Sequence, residues 1–268
     1  METSLHVFQK TQSALARAIQ VGQIATYDLQ TCAPDEPVKD VLEKYPEFDQ
    51  IPIKENGTVI GVIERKGRTA GQETAAKCMR RLEDCILVSE ELPLSEFLPL
   101  MADPPYYRLV LAGNRINAVV TRSDLLKLPV RLLAFTKISQ LETAMQELIE
   151  LCCPDGDAWL PALPERSQQR VKCYQERAKK SHSDLTMLEF TTLRDKGTII
   201  QEMCYEGKTV LGNLDEVYLL RNVISHGGNY AGTARALAKF IRQLERTDRC
   251  IEELDVLAHE RAEKNNSV

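Results

Sequence analysis

Several signatures are missing from this chain, and each absence removes a class of function. Eight cysteines are present (Cys32, Cys78, Cys85, Cys152, Cys153, Cys173, Cys204 and Cys250), yet no two form a Cys-x-x-Cys pair, and the four histidines are scattered. Zinc-ligand spacing is lacking, and no metal is expected. No apolar run approaches the roughly 18 residues that signal a membrane span. Met1 to Gln20 has no long apolar centre of the kind a secretory signal carries. A cytoplasmic protein with reduced thiols and no membrane role is the expectation; a redox role for the adjacent Cys152 and Cys153 is the alternative. Positive charge is not in excess, since 34 Lys and Arg stand against 39 Asp and Glu, for a net charge of -5. A global field that attracts nucleic acid is absent, so any nucleic-acid site must be a local patch.

What is there suffices for two modest domains, because 268 residues with 43% hydrophobic content can bury two separate cores. The first half alternates strand and helix patterns. Val38, Val41, Leu42 and Tyr45 recur at helical spacing, with Pro46 closing the segment. Gln50 to Lys54 reads as a strand, Asn56-Gly57 as a hairpin turn and Val59 to Ile63 as the return strand. The order then repeats. Cys85 to Val88 is a short strand, and Glu91-Leu92-Pro93-Leu94 opens a helix through Phe97, Leu98 and Met101. Leu109 to Ala112, Gly113-Asn114 and Ile116 to Val120 give a second strand, turn and strand. Pairing Gly61 with Ala118 sets the offset at about 57 residues, so two copies of one supersecondary unit are expected, packed face to face.

From about Pro129 the period changes. Ile138, Leu141, Met145, Leu148 and Ile149 predict an amphipathic helix that Pro154-Asp155-Gly156-Asp157 breaks. Further helices are predicted from Pro164 to about Lys180 and from Asp184 to about Tyr205. Glu206-Gly207-Lys208 reads as a turn, and Asn213 as the cap of a helix that carries Arg221 and stops at Gly227-Gly228. A last helix runs from a Thr233 cap to near Ala262, with a frayed tail from Glu263 to Val268. The expected fold class is α+β: small mixed sheets with helices over residues 1–128, then an all-α bundle of about five helices over residues 129–268.

The motif that bears chemistry is Arg221-Asn222-Val223-Ile224-Ser225-His226, followed at once by Gly227-Gly228. A guanidinium neutralises phosphate through a planar fork of donors. An imidazole titrates near neutral pH and moves protons. Such a pair suits RNA cleavage by the substrate's own 2′-hydroxyl: His226 handles protons, Arg221 stabilises the phosphorane charge and Asn222 orients one of them. Neither a metal nor a cofactor is required for that chemistry. Positions five apart on an ideal helix are separated by about 140 degrees, so one copy does not aim both side chains at one spot. Two copies across a dimer axis would bring four together. The blander assignment pairs Arg221 with a carboxylate and uses His226 to cap the helix end. Arg235, Lys239, Arg242, Arg246 and Arg249 follow at spacings of four, three, four and three and form a basic stripe. Either they track phosphates, or they are a solvated face paired with Glu245 and Glu252. Aromatics for base stacking are sparse there, so sequence-specific readout of RNA is not expected.

Two resemblances organise these features. The repeated first half, about residues 20 to 128, resembles a tandem CBS-domain pair, on the strength of the two strand–turn–strand units and the string Val120-Thr121-Arg122-Ser123-Asp124. In that family a Ser/Thr-x-x-Asp string follows a repeat's last strand, and its carboxylate accepts hydrogen bonds from ribose hydroxyls. The resemblance implies an adenine-nucleotide site at Thr121, Arg122 and Asp124, for AMP, ADP, ATP or S-adenosylmethionine. The first repeat carries Glu64-Arg65-Lys66-Gly67 instead, which lacks the hydroxyl and the carboxylate of the string. The same residues also read as a helix start, with Thr121 or Ser123 capping and Asp124 near the dipole's positive end.

The second half, about residues 131 to 262, is similar to the HEPN family of helical bundles, on Arg221, Asn222 and His226. That resemblance implies a composite site in a homodimer with single-stranded RNA as substrate. Many toxins of the family continue His-x-Tyr; here that position is Gly228 and the tyrosine is Tyr230. Together the two halves predict a metal-independent endoribonuclease regulated by an adenine nucleotide, an architecture that fits stress or defence responses by analogy. The alternative is a non-enzymatic nucleotide sensor or dimerisation scaffold.

Overall fold

The computed structural model describes residues 14, 17–65, 72–85, 87–182, 184–204 and 214–266. By contact the chain divides into two compact units, one of residues 14–133 and 231–238, the other holding 134–230 and 239–268.

In the first unit, Val38, Val41 and Leu42 share one face and are buried in helix α1 (Val38–Lys44), which starts behind Pro37 and stops before Pro46. Strands β1 (Gln50–Glu55) and β2 (Thr58–Glu64) pair antiparallel. The turn between them needs two left-handed residues, and Asn56 (φ 47°) and Gly57 (φ 83°) supply them. Helix α2 (Ala75–Cys78) leads into β3 (Arg80–Arg81), which adds antiparallel to β2.

The second repeat has β4 (Leu87–Ser89), α3 (Leu94–Phe97) running into a 3-10 turn (Leu98–Met101), then β5 (Tyr107–Ala112) and β6 (Arg115–Thr121). β4 lies parallel to β5, which pairs antiparallel with β6. The strand read from Cys85 starts later, at Leu87: Cys85 closes a 3-10 turn (Leu82–Asp84), and Ile86 lies outside the described residues.

The two copies match beyond their strands. A β-bulge falls between Ile53 and Lys54 in one hairpin and between Val110 and Leu111 in the other, the same step of the repeat. The edges are exchanged. β3, which precedes the second repeat, pairs with β2 of the first, while Thr26, which precedes the first repeat, bridges antiparallel to Val119 of the second. Val59 and Val62 of β2 pack in one apolar cluster with Tyr107 and Leu109 of β5, which covers the sheet faces that neither copy buries alone.

In the second unit's part of the chain, α4 (Leu128–Cys152) buries Leu141, Met145, Leu148 and Ile149 and ends before Pro154. α5 (Glu165–Lys180) starts behind Pro164. α6 (Leu193–Ile199) continues as a π-helical stretch (Ile200–Cys204). α7 (Asp215–Ser225) and α8 (Ala234–Asn266) follow. These helices enclose a core around Trp159, Val171, Leu193, Ile199, Val217, Cys250 and Leu254. Among the described residues no strand follows β6.

Two expectations fail here. The single helix from Asp184 to Tyr205 is instead a 3-10 turn (Met187–Phe190) and then α6 with its π extension, because Thr186 with Glu189 and Thr192 with Asp195 form two successive capping boxes that restart the chain. The tail does not fray at Glu263: α8 continues to Asn266, helped by Asn265 donating its side-chain amide to Leu151 O at 3.1 Å. Tyr205, the Glu206-Gly207-Lys208 turn, the Asn213 cap, Lys66 and Gly67 lie outside the described residues.

Candidate functional site

The first candidate site is built where β6 ends. Thr121, still extended, turns the chain into a 3-10 helix (Arg122–Leu126) and places Asp124 beneath it, 6% exposed. A buried carboxylate must have every lone pair engaged. Thr121 N and Oγ1 donate to Asp124 Oδ2 at 2.7 and 2.9 Å. Thr26 Oγ1 donates to Oδ1 at 2.9 Å, and Lys127 Nζ stands 2.7 Å from the same oxygen. Lys127 also donates to Ile24 O at 2.5 Å. Arg122 turns aside, its guanidinium 5.3 Å from the centre of the Tyr106 ring.

Thr26 and Lys127 were not among the predicted site residues. Lys127, three residues after Asp124, is readable as a local charge pair. Thr26 is distant in sequence and carries no local signal.

At the equivalent place in the first repeat, Glu64 Oε1 accepts from Arg80 Nη1 and from Tyr107 OH, both at 2.8 Å. Burial first, and then that bond to Glu64, pushes the Tyr107 hydroxyl far above its ordinary range. Arg65 spends its guanidinium on the carbonyls of Leu42, Tyr45 and Phe48, which closes the end of α1. The two repeats thus differ in chemistry at matched positions: an aspartate ringed by donors in one, a glutamate held by an arginine and a tyrosine in the other.

The second candidate site is the end of α7. Val217, Leu220 and Ile224 face the core, which leaves Arg221, Asn222 and His226 exposed. The stop after His226 is a Schellman motif: Gly227 takes φ 67°, its N–H donates to Ile224 O at 3.4 Å, and Gly228 N–H donates to Val223 O at 2.9 Å. Arg221 Nε lies 3.9 Å from Glu142 Oε1 on α4, a loose ion pair between half-exposed groups. Glu142 is set by tertiary packing and is not readable beside the motif. Tyr230 is buried and stacks on Phe240, ring centres 4.2 Å apart, so its ring serves packing.

Of the basic stripe, Arg235, Lys239, Arg242 and Arg249 are exposed on α8, whereas Arg246 is half-buried and pairs with Glu253 at 3.5 Å. Leu237, Ile241, Leu244 and Leu254 are buried on the other side of the helix. Among the described residues, no group of three His, Cys, Asp or Glu could hold a metal ion, and no helix is long and apolar enough to cross a membrane.

Residues 21–66 match the family model of the CBS domain. No curated protein matches the chain. Among solved structures, it is similar to an uncharacterised conserved protein from Pyrococcus horikoshii, at 22% identity over 41% of this chain and 91% of that one, with a TM-score of 0.37. It is similar to the CBS domain of a bacterial CNNM/CorC family Mg2+ transporter solved in complex with ATP, at 14% identity over 47% of this chain and 94% of that one, TM-score 0.36. A CBS domain-containing protein from Thermotoga maritima is similar at 15% identity over 41% and 92%, TM-score 0.34. The strand–turn–strand unit at residues 21–66 is a CBS domain.

Proposed function

We propose that this protein is a metal-independent endoribonuclease placed under the control of an adenine nucleotide. The observation that carries the catalytic half is the exposure of Arg221, Asn222 and His226 together on the last turns of a helix whose end is fixed by a Schellman motif. His226 takes the proton of the 2′-hydroxyl or delivers one to the leaving oxygen. Arg221 neutralises the phosphorane, and Asn222 orients the pair. Because positions five apart diverge by about 140 degrees on a straight helix, the site is completed in a homodimer. Sedimentation at micromolar concentration should show a dimer.

The CBS domain supports the sensing half, and the second repeat supplies the ligand group. Ribose hydroxyls donate to Asp124 Oδ1 in place of Thr26 and Lys127, and the released Lys127 meets phosphate. Millimolar AMP, ADP, ATP or S-adenosylmethionine should raise the melting temperature by mass action. Asp124→Ala lowers the starting stability by removing the partner of Thr121 and Thr26, so the measurement is the ligand-induced difference, and that difference should vanish. If none of the four moves the wild-type melt, the sensing assignment is wrong.

The decisive test incubates single-stranded RNA with pure protein, with and without chelator and each nucleotide. Wild type should cleave in chelator and leave cyclic-phosphate ends. His226→Ala should lose about 10²–10⁴-fold in rate. Arg221→Lys should also fail, since an ammonium keeps the charge and loses the fork. Equal loss of RNA with wild type and His226→Ala would expose a contaminating nuclease. The contact of Arg221 with Glu142 favours a second reading, a sensor or scaffold in which that pair is structural; no cleavage under any condition selects it.

A further inference from the structure

Three cysteines converge at the end of α4, and the proposed nuclease uses none of them. Cys152 is the last residue of α4, Cys153 follows it, and Cys204 is the last residue of the π-helical stretch after α6. Cys152 and Cys204 are half-buried at the rim of the helical core, and Cys153 is buried. The Cys204 thiol donates a hydrogen bond to the Cys152 sulfur, and the Arg261 guanidinium of α8 acts on both. The sequence reading paired Cys152 with its neighbour Cys153; the fold pairs it with a cysteine from another segment.

We propose that Cys152 and Cys204 are a peroxide-oxidisable dithiol, with Cys152 as the attacking sulfur and Cys204 as the resolving one. The division of labour follows from the surroundings. The bond from Cys204, opposed by burial and assisted by Arg261, brings the Cys152 thiol down to about 7. The same bond, and burial after it, hold the Cys204 proton on. Burial raises Cys153. One sulfur of the cluster is thus a thiolate near neutral pH, and a thiol is already in contact with it.

The chemistry balances. The Cys152 thiolate attacks one oxygen of a hydroperoxide; an S–O bond forms, the O–O bond breaks, and the other oxygen departs as hydroxide or alkoxide and takes a proton from water. Cys152 is now a sulfenic acid, oxidised by two electrons, and the peroxide is reduced. With the thiolate charge gone, Cys204 no longer has to keep its proton. Its sulfur attacks the sulfenic sulfur, the S–S bond forms, the S–O bond breaks, and the hydroxyl leaves with that proton as water. Two thiols and one hydroperoxide yield one disulfide, one water and one alcohol or second water. The product ties the end of α4 to the end of the π-helical stretch.

The test uses the reduced full-length protein, treated at neutral pH with rising hydrogen peroxide, alkylated, digested and mapped without reduction. The expected first product is a Cys152–Cys204 cross-link, which persists in Cys153→Ser. In Cys204→Ser, Cys152 should stop at the sulfenic acid and be trapped by dimedone. Alkylation of Cys152 by iodoacetamide should rise with pH about a midpoint near 7, and at neutral pH its thiolate fraction should be roughly tenfold that of an ordinary cysteine. A first cross-link between any other pair, including Cys152–Cys153, overturns the proposal. So does the absence of a dimedone adduct at Cys152 in Cys204→Ser.

Discussion

Asp195 shows how a single buried carboxylate sets a local pH response. It is 6% exposed and accepts from Thr192 N at 2.8 Å and Thr192 Oγ1 at 2.6 Å, while Arg170 pairs with it. Burial pulls its pKa up, but the bonds from Thr192 and Ser167 and the charge of Arg170 together outweigh burial and hold it below the ordinary range. A carboxylate with a folded-state value below its unfolded value adds stability above the unfolded pKa of about 3.9, and that stability is lost as pH falls through the folded value. Asp195→Asn should therefore melt below wild type at neutral pH, and the gap should narrow below about pH 4. Melts from pH 2 to 7 would show it; a gap independent of pH would mean that the charge contributes nothing. Legibility at this scale follows sequence distance. The string Thr192-x-x-Asp195 is a readable cap signal, passed over because the apolar positions around it suggested one longer helix. Arg170 lies on another helix and is invisible to any local pattern. The same holds for Thr26 at Asp124 and for Glu142 at Arg221.

Elements were legible where their periodicity is strong. The two hairpins, their turns and their 57-residue offset follow from alternation and from Asn56-Gly57 and Gly113-Asn114. The exchanged edges were not, because β3 has two residues and Thr26 makes an isolated bridge, too short for a pattern. The π-helical stretch Ile200–Cys204 has no signal in its residues that we can identify. Packing between α6 and α7 rests on a missing side chain. A Cβ at Gly197 would lie 2.4 Å from the Tyr218 hydroxyl and 3.0 Å from Leu214 Cδ1. Alanine in a helix interior gains about 1 kcal/mol over glycine from propensity. Overpacking costs about 1–3 kcal/mol, and the Tyr218 ring is not free to retreat, with the Arg194 guanidinium 4.9 Å from its centre. Overpacking should win, so Gly197→Ala should lower stability in urea melts. Adding Tyr218→Phe removes the offending oxygen and should recover part of the loss, a coupling that a double-mutant cycle isolates. A stabilised Gly197→Ala would show that α7 yields, which would loosen the end that carries Arg221 and His226.

For the whole molecule, the α+β division was legible as a change of period near Pro129, whereas the helical half carries one short motif whose partners are set by folding. The proposed control requires that occupancy at Asp124 alter events at His226. Such coupling is a free energy and is reciprocal for binding. His226→Ala supplies the means to measure it, since it should hold RNA without consuming it. Whichever nucleotide shifts the melting temperature should change the RNA dissociation constant of His226→Ala by some factor, on the order of 5–150-fold for ordinary allosteric coupling. RNA must then change the nucleotide's dissociation constant by the same factor. Anisotropy of labelled RNA at saturating nucleotide gives one side of the cycle, and calorimetric titration of nucleotide into the RNA complex gives the other. The RNA affinity should also fall with salt, with a logarithmic slope of about 0.7 for each phosphate neutralised. Arg242→Ala and Arg249→Ala should each flatten that slope, whereas Arg246→Ala should not, because Arg246 is half-buried against Glu253. A nucleotide that binds and leaves RNA affinity unchanged would mean that the two sites act independently, and the CBS domain would then have to act on something other than RNA binding.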